Sequence, residues 1–373
     1  MLTERQGNLF HRDSHNPSFE AIKASMLTAV TPIDFCVPVN RPFPPQSLLQ
    51  ELQESLADIV KYYPDYAQAH QESLATLTGV PAQNIVVANG STELITLLTR
   101  DCSTPIATCT PTFGRWTDLP RELGKTTHFI QRHHCDAFQL SVERIISEVR
   151  EHGVRTLVLS NPNNPTGAIV SGEDIARLCN ELADLDLIIL DESFIDFSTA
   201  TSAASIAITA DNVVVVKSLG KSLGWHGVRL GYAVTSAPRA TQLRRSTPWW
   251  NINGVAAFVL KRVAHLDQEL QRSFEKVRDD RHYMAAELKR IKGLKVFESH
   301  ANFIFAQLPD THSGKSVRDT LLSHYHLLVR ECSNKVGSTE QYLRLAVNLP
   351  VETDRLVFAL QEILQAPQQD RAD

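Results

Sequence analysis

Val213-Val214-Val215-Val216-Lys217-Ser218-Leu219-Gly220-Lys221-Ser222-Leu223-Gly224-Trp225-His226-Gly227-Val228-Arg229-Leu230-Gly231-Tyr232 decides how this chain is read. Four consecutive valines have the length and β-branching of a strand. Their lack of apolar/polar alternation says that both faces of that strand are buried. Two more runs share this character: Thr156-Leu157-Val158-Leu159-Ser160 and Leu187-Ile188-Ile189-Leu190. Strands of this kind belong to a mostly parallel sheet covered by helices, which makes the chain an α/β protein.

Working outward, Leu48–Val60 and Gln71–Leu77 carry helical spacing. Asn84–Ala88 reads as a short strand that ends in Asn89-Gly90, and a helix restarts over Ser91–Arg100. From Gly254 to about Ile291 a long helical pattern dominates. Strands at Leu294–Phe297, Asn302–Ala306 and Tyr342–Val347 and a last helix over Val351–Leu364 complete an α+β region. With 373 residues, 43% of them hydrophobic, the chain is long for one core. The expected division is an N-terminal arm (1–40) laid on the small domain or a partner, a large domain (41–250) and a small domain (251–373).

A formal net charge of -5 and no Lys/Arg-rich run exclude a nucleic-acid footprint. The N-terminal residues have no apolar stretch behind them, so no signal peptide is expected. No apolar run approaches the roughly 18 residues of a membrane span. The six cysteines are scattered without C-x-x-C spacing, which suits free thiols in a reducing cytoplasm. His133-His134-Cys135 has no partner motif, so no metal site is expected.

Ligands of open α/β sheets bind beyond the carboxyl ends of the strands, and three strand ends here carry chemistry. Ser160-Asn161-Pro162-Asn163-Asn164-Pro165-Thr166-Gly167 is fixed by two prolines and a glycine, and presents asparagine amides at set positions. Asp191 directly follows an apolar strand; it is either a helix cap or a buried carboxylate with a cationic partner. After Val216, glycines 220, 224, 227 and 231 let backbone pass close to something bulky. A partly desolvated Lys221 there has a lowered pKa and forms an imine with an aldehyde. Arg229 offers a planar fork for a phosphate. Each feature alone has a plain structural reading. Together, an imine-forming lysine, a carboxylate for a pyridinium nitrogen and a phosphate arginine are what pyridoxal 5'-phosphate (PLP) requires.

On these motifs the chain resembles the class I/II aminotransferase-fold (fold type I) PLP enzymes. Within them it looks most similar to histidinol-phosphate aminotransferases and threonine-phosphate decarboxylases. The resemblance runs from about Asp34 to Leu364. It implies a mostly parallel, seven-stranded-type sheet in a large PLP-binding domain and a smaller α+β domain. It also implies roles. Lys221 matches the Schiff-base lysine, Arg229 and Ser218 phosphate ligands, Asp191 the aspartate at the pyridine nitrogen, and Asn164 the asparagine at the cofactor's 3'-oxygen. Gly90, Ser91 and Thr92 match the helix N-terminus that holds the phosphate, and Trp116 the aromatic stacked on the ring. Tyr63 matches a tyrosine that reaches the neighbouring subunit's cofactor, which implies a homodimer. Arg344 matches the arginine for the amino-acid carboxylate and Arg330 one for a distal phosphate. Asn40, Asn253 and Asn302 fall on the substrate side.

Several residues depart from the family pattern. Phe194 replaces the tyrosine usual in the aminotransferases and agrees with the decarboxylases. Gly220 lacks a hydroxyl before the lysine. Trp225-His226 and Trp249-Trp250-Asn251 add bulk, which brings His226 to a substrate wall. Only His15-Asn16 stands where the decarboxylases carry a His-Gly-Gly-Asn stretch, and Asn348 stands where an additional arginine occurs. The expected reaction is decarboxylation at Cα of a small amino acid, with or without a phosphate. The alternatives are an aminotransferase of the histidinol-phosphate type and another PLP-dependent lyase or substitution reaction on a larger amino acid.

Overall fold

The computed structural model describes residues 18–25 and 30–365. His15 and most of the expected arm lie outside the described residues. The strands in chain order are β1 Ile33–Phe35, β2 Ile85–Ala88, β3 Ile106–Thr110, β4 Thr127–Gln131, β5 Thr156–Ser160, β6 Leu187–Asp191, β7 Val213–Lys217, β8 Gly231–Val234, β9 Lys295–Val296, β10 Phe303–Gln307, β11 Leu327–Glu331 and β12 Tyr342–Ala346.

Seven of them form one sheet in the order β2-β8-β7-β6-β5-β3-β4. Neighbours run parallel except at β8, which is antiparallel to both β2 and β7. The three apolar runs are its centre, and every residue of β5, β6 and β7 is buried. Alternate side chains feed different cores. Leu157, Leu159, Ile188, Leu190, Val213 and Val215 pack into one cluster, whereas Val158, Leu187, Ile189, Val214 and Val216 pack into another. Each such side chain contributes on the order of 1.5–3 kcal/mol by leaving water, which is why these strands show no polar face.

Helices over Ser91–Asp101, Arg115–Glu122, Val142–Glu151 and Gly172–Glu181 cross between parallel strands. Two of these starts are written locally: Ser141 Oγ accepts from the Arg144 amide and Ser171 Oγ from the Asp174 amide. The chain leaves β3 for β4 at the sheet edge, then returns to place β5 on the other side of β3. Strand order therefore reverses between β3 and β5, the kind of point where open α/β sheets hold ligands.

A second sheet has the order β1-β11-β12-β10-β9 and is antiparallel apart from the β1/β11 pair. Its register sets Arg330 directly opposite Arg344. The long helical pattern after Gly254 is two helices, Gly254–Val263 and Asp267–Lys289, the second starting with Asp267 and Glu269 in its first turn. Acidic residues suit a helix N-terminus, and apolar spacing continues across the break, so periodicity alone does not reveal it. The weakest strand pattern is β4, an edge strand with one fully buried residue. No helix among the described residues is long and apolar enough to cross a membrane. All six cysteines are free, and only Cys135 is exposed.

Candidate active site

A cleft opens at the carboxyl ends of β3, β5, β6 and β7. Its walls include Phe113, Asn164, Asp191, Ser193, Phe194 and Lys221, around about 260 Å³ of space outside protein atoms. Lys221 lies in the short helix Leu219–Ser222, which begins where β7 ends. Its Nζ donates to Ser218 Oγ at 3.0 Å and stands 5.0 Å over the Phe194 ring. Burial pulls the ammonium down to about 8; Asp191 opposes this, while Arg344 and Arg229 add to it. The result is an amine that is partly neutral near neutral pH, the form that attacks an aldehyde.

The neighbouring lysine shows the contrast. Lys217 Nζ donates to Asp196 Oδ1 at 2.7 Å, with Glu192 4.0 Å away. Burial alone would lower its pKa, but Asp196, Tyr232 and Glu192 outweigh that and raise it. Ser222 Oγ also donates to Asp196, at 2.7 Å, so this ion pair anchors the end of the Lys221 helix.

Asp191 is buried at the end of β6. Its Oδ2 accepts from the Trp116 indole at 2.7 Å, and its Oδ1 from the Ser193 amide at 3.1 Å. Trp116 is fully buried and bonds a carboxylate that lines the cleft. Phe113, three residues earlier in the same segment, lines the cleft together with Phe194.

Asn164 Oδ1 accepts from Arg344 Nη1 at 2.7 Å, and Arg344 Nη2 donates to the Cys36 carbonyl at 2.6 Å. One arginine thus ties the second sheet to the loop after β5. At the opposite end, Gly90 has φ +76°, and a Cβ there would stand 2.5 Å from Arg229 Nη2. A Cβ on Gly231 would stand 2.5 Å from the Ser91 amide nitrogen. Gly90, Ser91 and Arg229 are therefore in contact at the start of the helix Ser91–Asp101, with Thr92 next in its first turn. Backbone N–H groups and a guanidinium at a helix N-terminus suit a phosphate. The glycine-lined cradle, the partly neutral lysine and the buried carboxylate fit the phosphate, aldehyde and ring nitrogen of PLP.

Other expected substrate residues are engaged elsewhere. Asn40 Nδ2 donates to the Ser222 carbonyl and to Ser273 Oγ, each at 2.7 Å, and its amide N–H donates to the Lys221 carbonyl. It braces the lysine from behind. Asn253 caps the helix Gly254–Val263: its Oδ1 accepts from the Ala256 amide at 2.9 Å and its Nδ2 donates to the Val228 carbonyl. His226 Nε2 donates to the Pro38 carbonyl at 3.0 Å. Burial and the Lys221 charge push that imidazole down to about 4, with Arg229 and Arg344 adding to the drop. It is therefore neutral and already bonded. Asn302 is fully buried, with no protein partner for either amide atom. Tyr63 is 81% exposed and stands 4.9 Å from the Trp250 ring, away from this cleft's walls.

The fold and this cleft define a fold type I PLP-dependent enzyme. Residues 30–359 match the sequence profile of "Aminotransferase class I and II", and the chain belongs to that family. It is 29% identical over 369 residues to the L-serine phosphate decarboxylase of Sulfurospirillum multivorans, covering 94% of this chain and 93% of that one. A solved structure of a decarboxylase from the same organism superposes with a TM-score of 0.87 at 28% identity, covering 95% and 94% of the two chains. Histidinol-phosphate aminotransferase of Caldanaerobacter subterraneus is 29% identical over 329 residues, 86% of this chain and 91% of that one. The CMP-5'-(3-aminopropyl)phosphonate synthase of Streptomyces rubellomurinus is 31% identical over 344 residues, 90% of this chain and 53% of that one. The chain spans about half the length of two of the relatives it matches.

Proposed function

We propose that the protein decarboxylates a small amino acid bearing a distal phosphate. The observation that carries this reading is Arg344 bonded to a cleft residue, with Arg330 opposite it in the strand register. Arg344, bonded to Asn164, suits the α-carboxylate, and Arg330, opposite it, suits a second anionic group. Similarity to the L-serine phosphate decarboxylase over nearly both whole chains supports decarboxylation as the outcome. Phe194 supports it too: packed edge-on at 5.0 Å against Phe303 beneath Lys221, it offers no hydroxyl to the reacting carbon.

Bound PLP supplies an aldehyde that captures the substrate amine and a pyridinium ring that draws electrons from a bond broken at Cα. Asp191, fixed by Trp116 and Ser193, is placed to keep the ring nitrogen protonated. Gly90, Ser91, Thr92, Ser218 and Arg229 suit the cofactor phosphate, and Asn164 its 3'-oxygen. Phe113 would give the cofactor an apolar wall. Lys221, once released, carries the proton between solvent and Cα. Arg344, held by Asn164, would orient the substrate through its carboxylate. Lys221 would be the group that holds or removes a proton at Cα, whichever bond there is broken.

Incubating holoenzyme with O-phospho-L-serine or O-phospho-L-threonine and analysing the products tests the reading. Carbon dioxide and a phosphorylated amine support it. A keto acid with conversion of the cofactor to its amine form rejects it in favour of the aminotransferase alternative.

The same proposal includes a homodimer in which Tyr63 reaches the partner's cofactor, a boundary between large and small domains near residue 250, and a cytoplasmic location. Exposed aromatic rings around Tyr63 support the first. Two separate sheets support the second. Free thiols support the third.

A further inference from the structure

The chain makes a tight turn after β11. The Lys335 amide donates to the Cys332 carbonyl at 3.1 Å, and the Ser338 amide to the Lys335 carbonyl at 2.9 Å. Gln131, the last residue of β4, donates from Nε2 to the Gly337 carbonyl at 3.1 Å. Gly337 has φ +79°, and a Cβ there would stand 2.5 Å from that Gln131 side chain. The turn is therefore pinned to the carboxyl end of the large sheet. It places Lys335, only 7% exposed, with Nζ 5.8 Å from the centre of the Phe113 ring, which lines the cleft.

Lys335 is close enough to two other cations to feel them. Burial lowers its ammonium to about 8, and the charges of Arg330 and Arg344 push the same way, against Cys332 and Asp118. Arg330 is equally buried, and its Nη2 donates to Asn334 Oδ1 at 2.8 Å, beside Lys335 in sequence. Buried lysines are rare because the charge loses its hydration. Three cations near one wall suit a ligand with more than one negative charge. Geometry narrows it further. A carboxylate is planar and is satisfied by one arginine fork. A phosphate carries close to two negative charges near neutral pH and three acceptor oxygens in different directions, which calls for donors from separate places.

We propose that Lys335 is a specificity-determining residue, which together with Arg330 makes the cleft select an amino acid ending in a dianionic phosphate over one ending in a carboxylate. This rests on the reading that Arg344 holds the α-carboxylate and that the distal group is a phosphate. The sequence offers no signal for it, since Lys335 is one lysine in the polar stretch Ser333-Asn334-Lys335-Val336-Gly337-Ser338.

The test measures binding to the holoenzyme, followed by the visible absorbance of the cofactor, for O-phospho-L-serine and for L-glutamate, whose side chain ends in a carboxylate at comparable reach. The wild type is expected to favour O-phospho-L-serine. Lys335→Met is expected to weaken that ligand by about tenfold or more and to leave L-glutamate within about twofold, with cofactor absorbance unchanged. Lys335→Arg, which keeps the charge, is expected to retain the preference. If Lys335→Met does not accumulate as holoenzyme, Lys335→Gln makes the same comparison. Equal losses for both ligands, no loss for either, or no preference in the wild type overturns the proposal. Because binding is scored without turnover, release of a keto acid in place of carbon dioxide rejects the decarboxylase reading and leaves this measurement standing. Decarboxylation with an unchanged Lys335→Met preference rejects this inference alone.

Discussion

Lys221 and Lys217 lie four residues apart, yet the pKa of one is lowered and that of the other raised. The difference is their surroundings: Lys217 meets Asp196 at 2.7 Å, while Lys221 meets a serine hydroxyl and a phenyl ring. Lys221→Ala should abolish borohydride-fixable cofactor and cut turnover by at least about 10²–10⁴-fold, as expected for loss of a general base; absorbance after reduction and steady-state rates check this. The Lys221 ammonium sits near 8 rather than at its usual 10.5, so the neutral amine is the minority form below that point. The rate at which apoprotein takes up PLP should therefore rise about tenfold per pH unit below about 8 and level off above it, measured by stopped-flow absorbance. The sign of the stability effect follows: between about 8 and 10.5 the unfolded chain holds a proton that the folded chain lacks, so this lysine's contribution to stability increases as pH rises through that window. Trp116→Phe removes one charge-assisted bond to Asp191. It should lower turnover by about tenfold while leaving PLP bound, the scale of one hydrogen bond to a charged group.

At the scale of elements, the glycine-lined cradle is built where β8 passes the start of the helix Ser91–Asp101. Gly231 is the contact point: a Cβ there would meet the Ser91 amide at 2.5 Å, the Gly90 carbonyl carbon at 2.8 Å and the Lys217 carbonyl at 3.0 Å, all backbone. Gly231→Ala should push the helix start away and weaken PLP affinity more than it lowers thermal stability, read from cofactor titration beside a melting curve. Asn253 gives the opposite case. Its amide caps a helix, so Asn253→Ala should cost about 1 kcal/mol of stability with kcat and KM for the substrate unchanged. A rise in KM would return it to the substrate side, where the family resemblance had put it.

At the scale of the whole molecule, Tyr63, Tyr66, Trp249 and Trp250 form an outward aromatic cluster, with exposures of 81%, 65%, 78% and 44%. Their ring centres lie 4.9–6.4 Å apart. A patch of this kind marks an interaction surface, and the dimer proposed above would cover it. Sedimentation should give twice the monomer mass of 41.6 kDa, and Trp249→Glu with Trp250→Glu should shift it toward monomer with loss of activity. The sequence by itself determined the centre of the sheet, because β5, β6 and β7 bury both faces and carry no polar alternation; β3, β4 and β8 came only with the structure. It also placed Lys221, Asp191, Asn164 and Arg229, because each directly follows a buried strand or a glycine-fixed turn, where local chemistry is concentrated. Only the tertiary structure decided which aromatics line the cleft, that Asn40 and Asn253 are braces, that Arg330 stands opposite Arg344, and that Lys335 joins them. Those facts depend on strand register and on which side of an element a residue faces after packing. They are set by contacts between residues far apart in the chain, and no local pattern encodes them.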